Sequence, residues 1–146
     1  MKPVLDDVNI IQTTWYKDEL GLRAVRTPVF VQEQAVTPEF EWDEIDATAV
    51  HLLATLQNAP IACLRIIHYH KIGRMAVLKQ YRGAGLGTAL LLEAINVCKN
   101  NGSKSVILSA QTHAISFYEK VGFKQISGEY CDVDIPHVDM LLDISS

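Results

Sequence analysis

Residues 79–88 read Lys-Gln-Tyr-Arg-Gly-Ala-Gly-Leu-Gly-Thr, with glycines at the alternate positions 83, 85 and 87. A short β-forming run, residues 74–78, precedes them, and a strongly apolar stretch, residues 86–100, follows. Of the polar side chains of that stretch, Glu93, Asn96 and Asn100 fall three and four apart, which leaves one narrow wet stripe on an otherwise buried helix closed by Gly102. The segment is therefore strand, glycine loop, buried helix. Glycines let a backbone turn tightly and approach a ligand with no Cβ in the way. The free N–H groups and dipole of a helix start then favour an anion, for which a diphosphate is the natural occupant. No Gly-Lys-Ser/Thr follows as a Walker loop needs. From Gly83 the pattern is Gly-x-Gly-x-x-Thr88, and no acid stands about 20 residues on to hold a ribose. By itself the loop is open to three readings: an anion site, a nucleotide site, or a purely structural turn.

Charge narrows these. The net charge of −4 disfavours general nucleic-acid binding, which needs clustered Lys and Arg. Residues 65–104 nevertheless hold seven bases against the single acid Glu93, a local +6, and the remainder holds six bases against sixteen acids. Residues 33–46 carry six acids (Glu33, Glu39, Glu41, Asp43, Glu44, Asp46) and no base, and residues 128–146 five acids and no base. A basic middle between acidic flanks suits an anionic cofactor and a cationic substrate; solvated surface is the plain alternative.

With 146 residues the chain is predicted to be one domain, residues 1–146. No apolar run approaches the roughly 20 residues of a membrane span. The acidic start does not resemble a signal peptide, so no membrane partner is expected. Cys63, Cys98 and Cys131 are odd in number and lack a CxxC spacing, which points to a reducing cytoplasm and to neither disulfides nor a zinc knuckle.

The coarse pattern gives a strand over residues 8–15, then a helix over 18–34 with Leu20, Leu22, Ala24, Val25, Phe30 and Val31 on its apolar side and Pro28 splitting it. An acidic loop punctuated by Pro38 covers 35–46. Strands over 50–56 and 61–69 are joined by Gln57-Asn58-Ala59-Pro60 as a hairpin. Further strands fall at 74–78, 104–110 and 138–144. A short helix over 113–121 would be capped by Thr112 and Gly122, with Phe123 making the hydrophobic contact of the C-cap. The order is that of a mixed α/β layer fold.

Gln80-x-x-Gly83-x-Gly85, preceded by Ala76-Val77 and followed by the buried helix, resembles the acetyl-CoA signature of the GNAT N-acetyltransferase superfamily. Gln111-x-x-Ala114-x-x-Phe117-Tyr118-Glu119-Lys120-x-Gly122-Phe123 resembles its last helix and the following strand. The segments Val29-Phe30-Val31-Gln32-Glu33-Gln34, Glu41-Trp42-Asp43-Glu44-x-Asp46, His51-Leu52-Leu53-Ala54 and Ile135-Pro136-His137 are similar to the ElaA/YjcF-like subgroup. The resemblance implies an α/β (α+β) fold whose mixed, mostly antiparallel central sheet is flanked by helices. It implies acetyl-CoA as co-substrate and a small-molecule or peptide amine as acceptor; the residue spacings lead to the expectation of no metal, and the sequence leaves the oligomeric state open, a homodimer included. By the same resemblance, backbone N–H groups of Arg82, Gly83, Ala84, Gly85, Leu86, Gly87 and Thr88 hold the diphosphate. Met75, Ala76 and Val77, on a strand splayed from its neighbour, pair with pantetheine. Gln111, where the family more often has asparagine, keeps an amide for pantetheine.

Tyr118 matches the family tyrosine near the CoA sulfur, where a phenol can protonate the departing thiolate; a core tyrosine is the alternative. A base for the amine is sought among Glu33, Asp43, Asp46, His68, His70 and His113, with Glu33 first because it falls where the family places its acceptor cleft. His68-x-His70 puts two imidazoles on one side of a strand, but no third ligand stands at a metal-site spacing. His51 and His137 are read as structural. Cys63 and Cys98 are read as core and Cys131 as exposed, so direct transfer is preferred to an acetyl-cysteine intermediate. A non-catalytic acyl-CoA-binding module would keep the loop without a working acid and base.

Overall fold

The computed structural model describes residues 5–37 and 41–145. Strand β1 (Val8–Thr13) leads into helix α1 (Trp15–Arg26), whose start is fixed by Thr14: its hydroxyl accepts from the Lys17 N–H at 3.1 Å. Trp15 therefore opens the helix instead of ending the strand. Proline cannot donate at position 28, so α1 stops at Arg26 and the chain continues as a π-helical stretch, Thr27–Glu33. The inward face carries Leu22, Val25 and Val29, all buried against Leu53, Cys63 and Ala76. Leu20, expected on that face, is 86% exposed: two residues from Leu22, it points to the opposite side of the helix. Pro38 and Glu39 of the predicted acidic loop lie outside the described residues.

Strands β2 (Val50–Leu56) and β3 (Ala59–Ile67) meet in a two-residue turn in which Gln57 and Asn58 have φ of 50° and 67°. Ala59 and Pro60 thus belong to β3. A second turn, with His68 and Tyr69 at φ 53° and 55°, ends β3 and starts β4 (Lys71–Val77) earlier than the sequence pattern suggested. His68 and His70 lie in this turn, not on a strand face, which removes the proposed two-imidazole face. The His70 ring is engaged with the Ser105 carbonyl at 2.8 Å.

Helix α2 (Leu86–Asn100) buries Leu86, Leu90, Leu91, Ala94, Val97 and Cys98 on the sheet. Each large aliphatic group removed from water contributes roughly 1.5–3 kcal/mol. Strand β5 (Ser105–Gln111) alternates half-buried and buried residues, sending Val106, Leu108 and Ala110 into the same core. Helix α3 (Ile115–Val121) is closed by Gly122 at φ 116°, with the Phe123 N–H bonded to the Tyr118 carbonyl at 3.2 Å and Phe123 buried. Thr112 does not cap it. It opens a 3-10 turn, and Ala114 takes the N-cap place without a side-chain bond.

Two short exposed strands without an apolar signature, β6 (Lys124–Gln125) and β7 (Tyr130–Asp132), precede β8 (Ile135–Asp143), which starts three residues before the predicted 138 because Val133 and Asp134 turn the chain with φ of 48° and 63°. The sheet order is β1-β2-β3-β4-β5-β8-β6, with β7 on β8. Among the described residues every pairing is antiparallel except β4–β5. No described helix is long and apolar enough to cross a membrane.

Candidate active site

The one parallel contact is where the sheet opens. β4 and β5 pair only through Lys71–Ile107 and Ile72–Leu108. From Gly73 to Val77, β4 stays on β3 and no described strand lies along its other edge. Arg74, at φ 48°, marks the irregularity that bends β4 away. The gap widens into a cleft of about 1430 Å³.

Its far wall is the glycine loop. Gly83 and Gly85 both sit at φ 83°, a conformation that an L side chain rarely adopts, and Gly85 is the N-cap of α2. No side chain caps that end, and the first helical bond runs from the Ala89 N–H to the Gly85 carbonyl. The N–H groups of Leu86, Gly87 and Thr88 thus lack intrahelical acceptors at the positive end of a 15-residue helix.

Arg82 reaches back along the wall, its Nε donating to the Val77 carbonyl at 2.9 Å. Its Nη1 and Nη2 grip Glu33 in a two-point pair at 2.7 and 2.8 Å. The bonded guanidinium holds the Glu33 carboxyl below the usual carboxylate range. Both side chains are 40% exposed, so the pair contributes little to stability. Its neighbour Gln34 accepts from the Gln111 amide at 2.9 Å, and the Gln111 carbonyl lies 2.6 Å from His113 Nε2.

Tyr118 lines the cleft from α3, its ring set edge-on against Phe117 at 5.0 Å and Phe123 at 6.0 Å. Burial pushes its hydroxyl up to about 12.

The third wall is an internal ion cluster. Arg26, 1% exposed, donates to Glu41 Oε1 at 2.9 Å and to Asp46 Oδ1 at 2.8 Å, while its guanidinium carbon lies 4.8 Å from the Trp42 ring centre. Arg65 bridges Asp43 and Asp46, and Arg74 reaches Glu41 at 2.9 Å. Three acids of the 33–46 run are thus neutralised from within, and Glu33 is paired with Arg82. That run is not the open anionic surface its composition suggested. His51 donates from Nε2 to the Asp46 carbonyl at 2.9 Å, and burial lowers its pKa, so it is a structural donor.

The cleft brings together Glu33, Met75, Ala76, Val77, Arg82, Gly83, Gly85, Leu86, Gly87, Thr88, Gln111, His113 and Tyr118; Ala84 is not among its lining residues. Asp43, Asp46, His68 and His70 also lie off it. Cys63 is buried and its thiol pushed up to about 12; Cys98, also buried, reaches about 11, and Cys131 is exposed. None of the three lines the cleft. The sequence reading missed Glu41, Arg65, Arg74, Ser109, Asp132 and His137 as lining residues. Only the alternation of β5, which puts Ser109 on the side of Gln111, hinted at one of them.

A family model described as the acetyltransferase (GNAT) domain matches residues 17–144. The uncharacterized N-acetyltransferase YjcF of Bacillus subtilis is 36% identical over 123 residues, 82% of this chain and 88% of its own length. The crystal structure of an acyl-CoA N-acyltransferase from Pseudomonas aeruginosa superposes with a TM-score of 0.82 at 31% identity, covering 92% of this chain and 98% of that one. The Escherichia coli ElaA crystal structure gives 0.83 at 27% identity, with the same coverage.

Proposed function

The chain belongs to the GNAT acetyltransferase family, with YjcF and ElaA among its relatives, and on that premise we propose that it moves the acetyl group of acetyl-CoA to a primary amine of a small molecule or peptide by direct attack in a ternary complex. Family membership makes it an acyltransferase enzyme. One juxtaposition carries the reading: the gap between β4 and β5 runs into the uncapped start of α2, with Tyr118 on the same cleft. N–H groups from Gly83 to Thr88 hold the diphosphate, Ala84 included as a backbone donor, whereas the Arg82 N–H, expected among them, already donates to the Lys79 carbonyl at 3.3 Å. The free edge at Met75, Ala76 and Val77 pairs with pantetheine and polarises the thioester carbonyl. Tyr118 gives the leaving thiolate its proton. Gln111 exchanges its Gln34 bond for a pantetheine group.

Glu33 serves as base only after Arg82 has turned to the diphosphate, because the guanidinium now lowers its proton affinity. The pair and the diphosphate thus compete for one guanidinium. Glu33→Gln is expected to tighten acetyl-CoA binding by about two- to fivefold, the value of an exposed pair. Titration calorimetry checks this, and an unchanged or weaker affinity would show that no competition exists.

A cationic acceptor is favoured by the β7–β8 hairpin, whose Asp132 lines the cleft. The deciding experiment is calorimetry with acetyl-CoA followed by an amine panel assayed for free CoA thiol. Heat on binding and thiol release only with amine support transfer; binding without release from any amine would reduce the protein to a CoA-binding module.

A further inference from the structure

On the amine-acetylation reading above, we propose that Ser109, Tyr130 and Asp139 form a proton exit leading from the acceptor side of the cleft to solvent. An alkylamine arrives as ammonium, with no electron pair to attack the thioester, so one proton must leave first. Ser109 lines the cleft on β5 and stands directly across from Asp139 on β8. Tyr130, from β7, closes the chain between them. Its hydroxyl donates to Asp139 Oδ1 at 2.6 Å and is also bonded to the Ser109 hydroxyl. The Tyr130 ring stacks on His137 at 6.1 Å and 21°, which fixes the hydroxyl in place.

The direction of this chain follows from counting protons. A phenol has one, and Tyr130 gives it to Asp139, so towards Ser109 it can only accept. Ser109 must then spend its own proton on Tyr130, and its oxygen offers the cleft nothing but lone pairs. A group so arranged is matched to an entering N–H donor and mismatched to a carboxylate or carbonyl.

In the step, the ammonium gives a proton to Ser109 Oγ as the Ser109 proton passes to Tyr130 and the Tyr130 proton to Asp139, from which water takes it. The amine keeps the electron pair and forms the C–N bond at the thioester carbon. The C–S bond breaks, and the sulfur receives a proton from Tyr118, while Glu33, released by Arg82, takes the second proton, the one that the adduct nitrogen gives up, and returns it through water to Tyr118. The net products are amide, free thiol and one proton in solvent.

Two probe amines separate a relay from a structural role: n-butylamine, protonated at pH 7 like a lysine side chain, and methoxyamine, uncharged at that pH. Ser109→Ala and Tyr130→Phe are expected to raise the ratio of kcat/KM for methoxyamine over n-butylamine by about 100-fold, and Asp139→Asn by about tenfold. Equal losses with both probes, or a ratio that does not move, would overturn the relay while transfer itself stands. So would a ratio shift in His137→Gln that Ser109→Ala lacks, because the proton would then leave through the imidazole that also lines the cleft. A wild-type protein that binds acetyl-CoA yet acetylates no amine of the panel removes the transfer reading and the relay together.

Discussion

Tyr118→Phe is expected to lower kcat for acetyl transfer by about 100-fold and to leave acetyl-CoA affinity little changed. Phenylalanine keeps the edge-on packing with Phe117 and Phe123, so helix α3 is not disturbed and only the hydroxyl is lost. That hydroxyl matters in the transition state alone. The departing thiolate, whose conjugate acid titrates near 8.5 in model thiols, gains negative charge as the C–S bond lengthens, and a nearby phenol can supply its proton. Burial pushes Tyr118 up to about 12, so it stays protonated at every working pH and acts as donor, not base. Two measurements check this. Stopped-time assays of thiol release should show kcat and kcat/KM falling together, the mark of an interaction made only in the transition state. A pH profile should show no alkaline fall assignable to Tyr118 well below pH 12. Retention of wild-type kcat by the variant would return Tyr118 to the role of a core residue.

The parts of the site that could be read in the sequence are those whose signal is local. Gly83 and Gly85 sit at positive φ within the loop that their spacing marked, and the stripe of Glu93, Asn96 and Asn100 located α2. Gly122 ended α3 for the same local reason. What escaped was tertiary. Nothing near Asp43 or Asp46 in the chain indicates that Arg65 will lie 2.7 and 3.0 Å from them, so acids destined for an internal cluster looked like solvated charge. His68 and Tyr69 carry no glycine to announce a turn with positive φ, so the β-rich pattern of residues 61–69 runs through them without a break. The polar chain of Ser109, Tyr130 and Asp139 needs three strands to meet, one of which, β7, is at three residues too short to show alternation.

Arg26→Met is expected to cost about 3–5 kcal/mol of folding stability, measured by urea denaturation with the slope unchanged. Methionine retains much of the apolar contact with Trp15 and Trp42 but leaves the Glu41 and Asp46 carboxylates, 3% and 2% exposed, without the guanidinium between them. Uncompensated buried charge, not a lost attraction, is the source of so large a loss. Arg26→Met combined with Asp46→Asn should therefore lose less than the sum of the two single changes. The two carboxyls respond to pH in opposite senses. Burial would raise Asp46, yet the hydrogen bond and charge of Arg26, with Arg65 behind it, carry its pKa below the ordinary value. Its contribution is full above the unfolded value of about 3.9 and is lost as pH falls through the lower folded value. For Glu41, burial outweighs Arg26 and Arg74, and its pKa stays raised. Ionising it therefore takes away stability as pH climbs from its unfolded value through the folded one. The gap between wild type and Arg26→Met should narrow in acid, where both carboxyls are protonated and no buried negative charge is left unpaired. Because Glu41, Arg65 and Arg74 also line the cleft, the variant should lose acceptor turnover before it loses acetyl-CoA binding, which rests on the opposite wall. A stability loss below about 1 kcal/mol would mean that desolvation of the ions offsets their attraction and that packing alone holds residues 41–47 to the sheet.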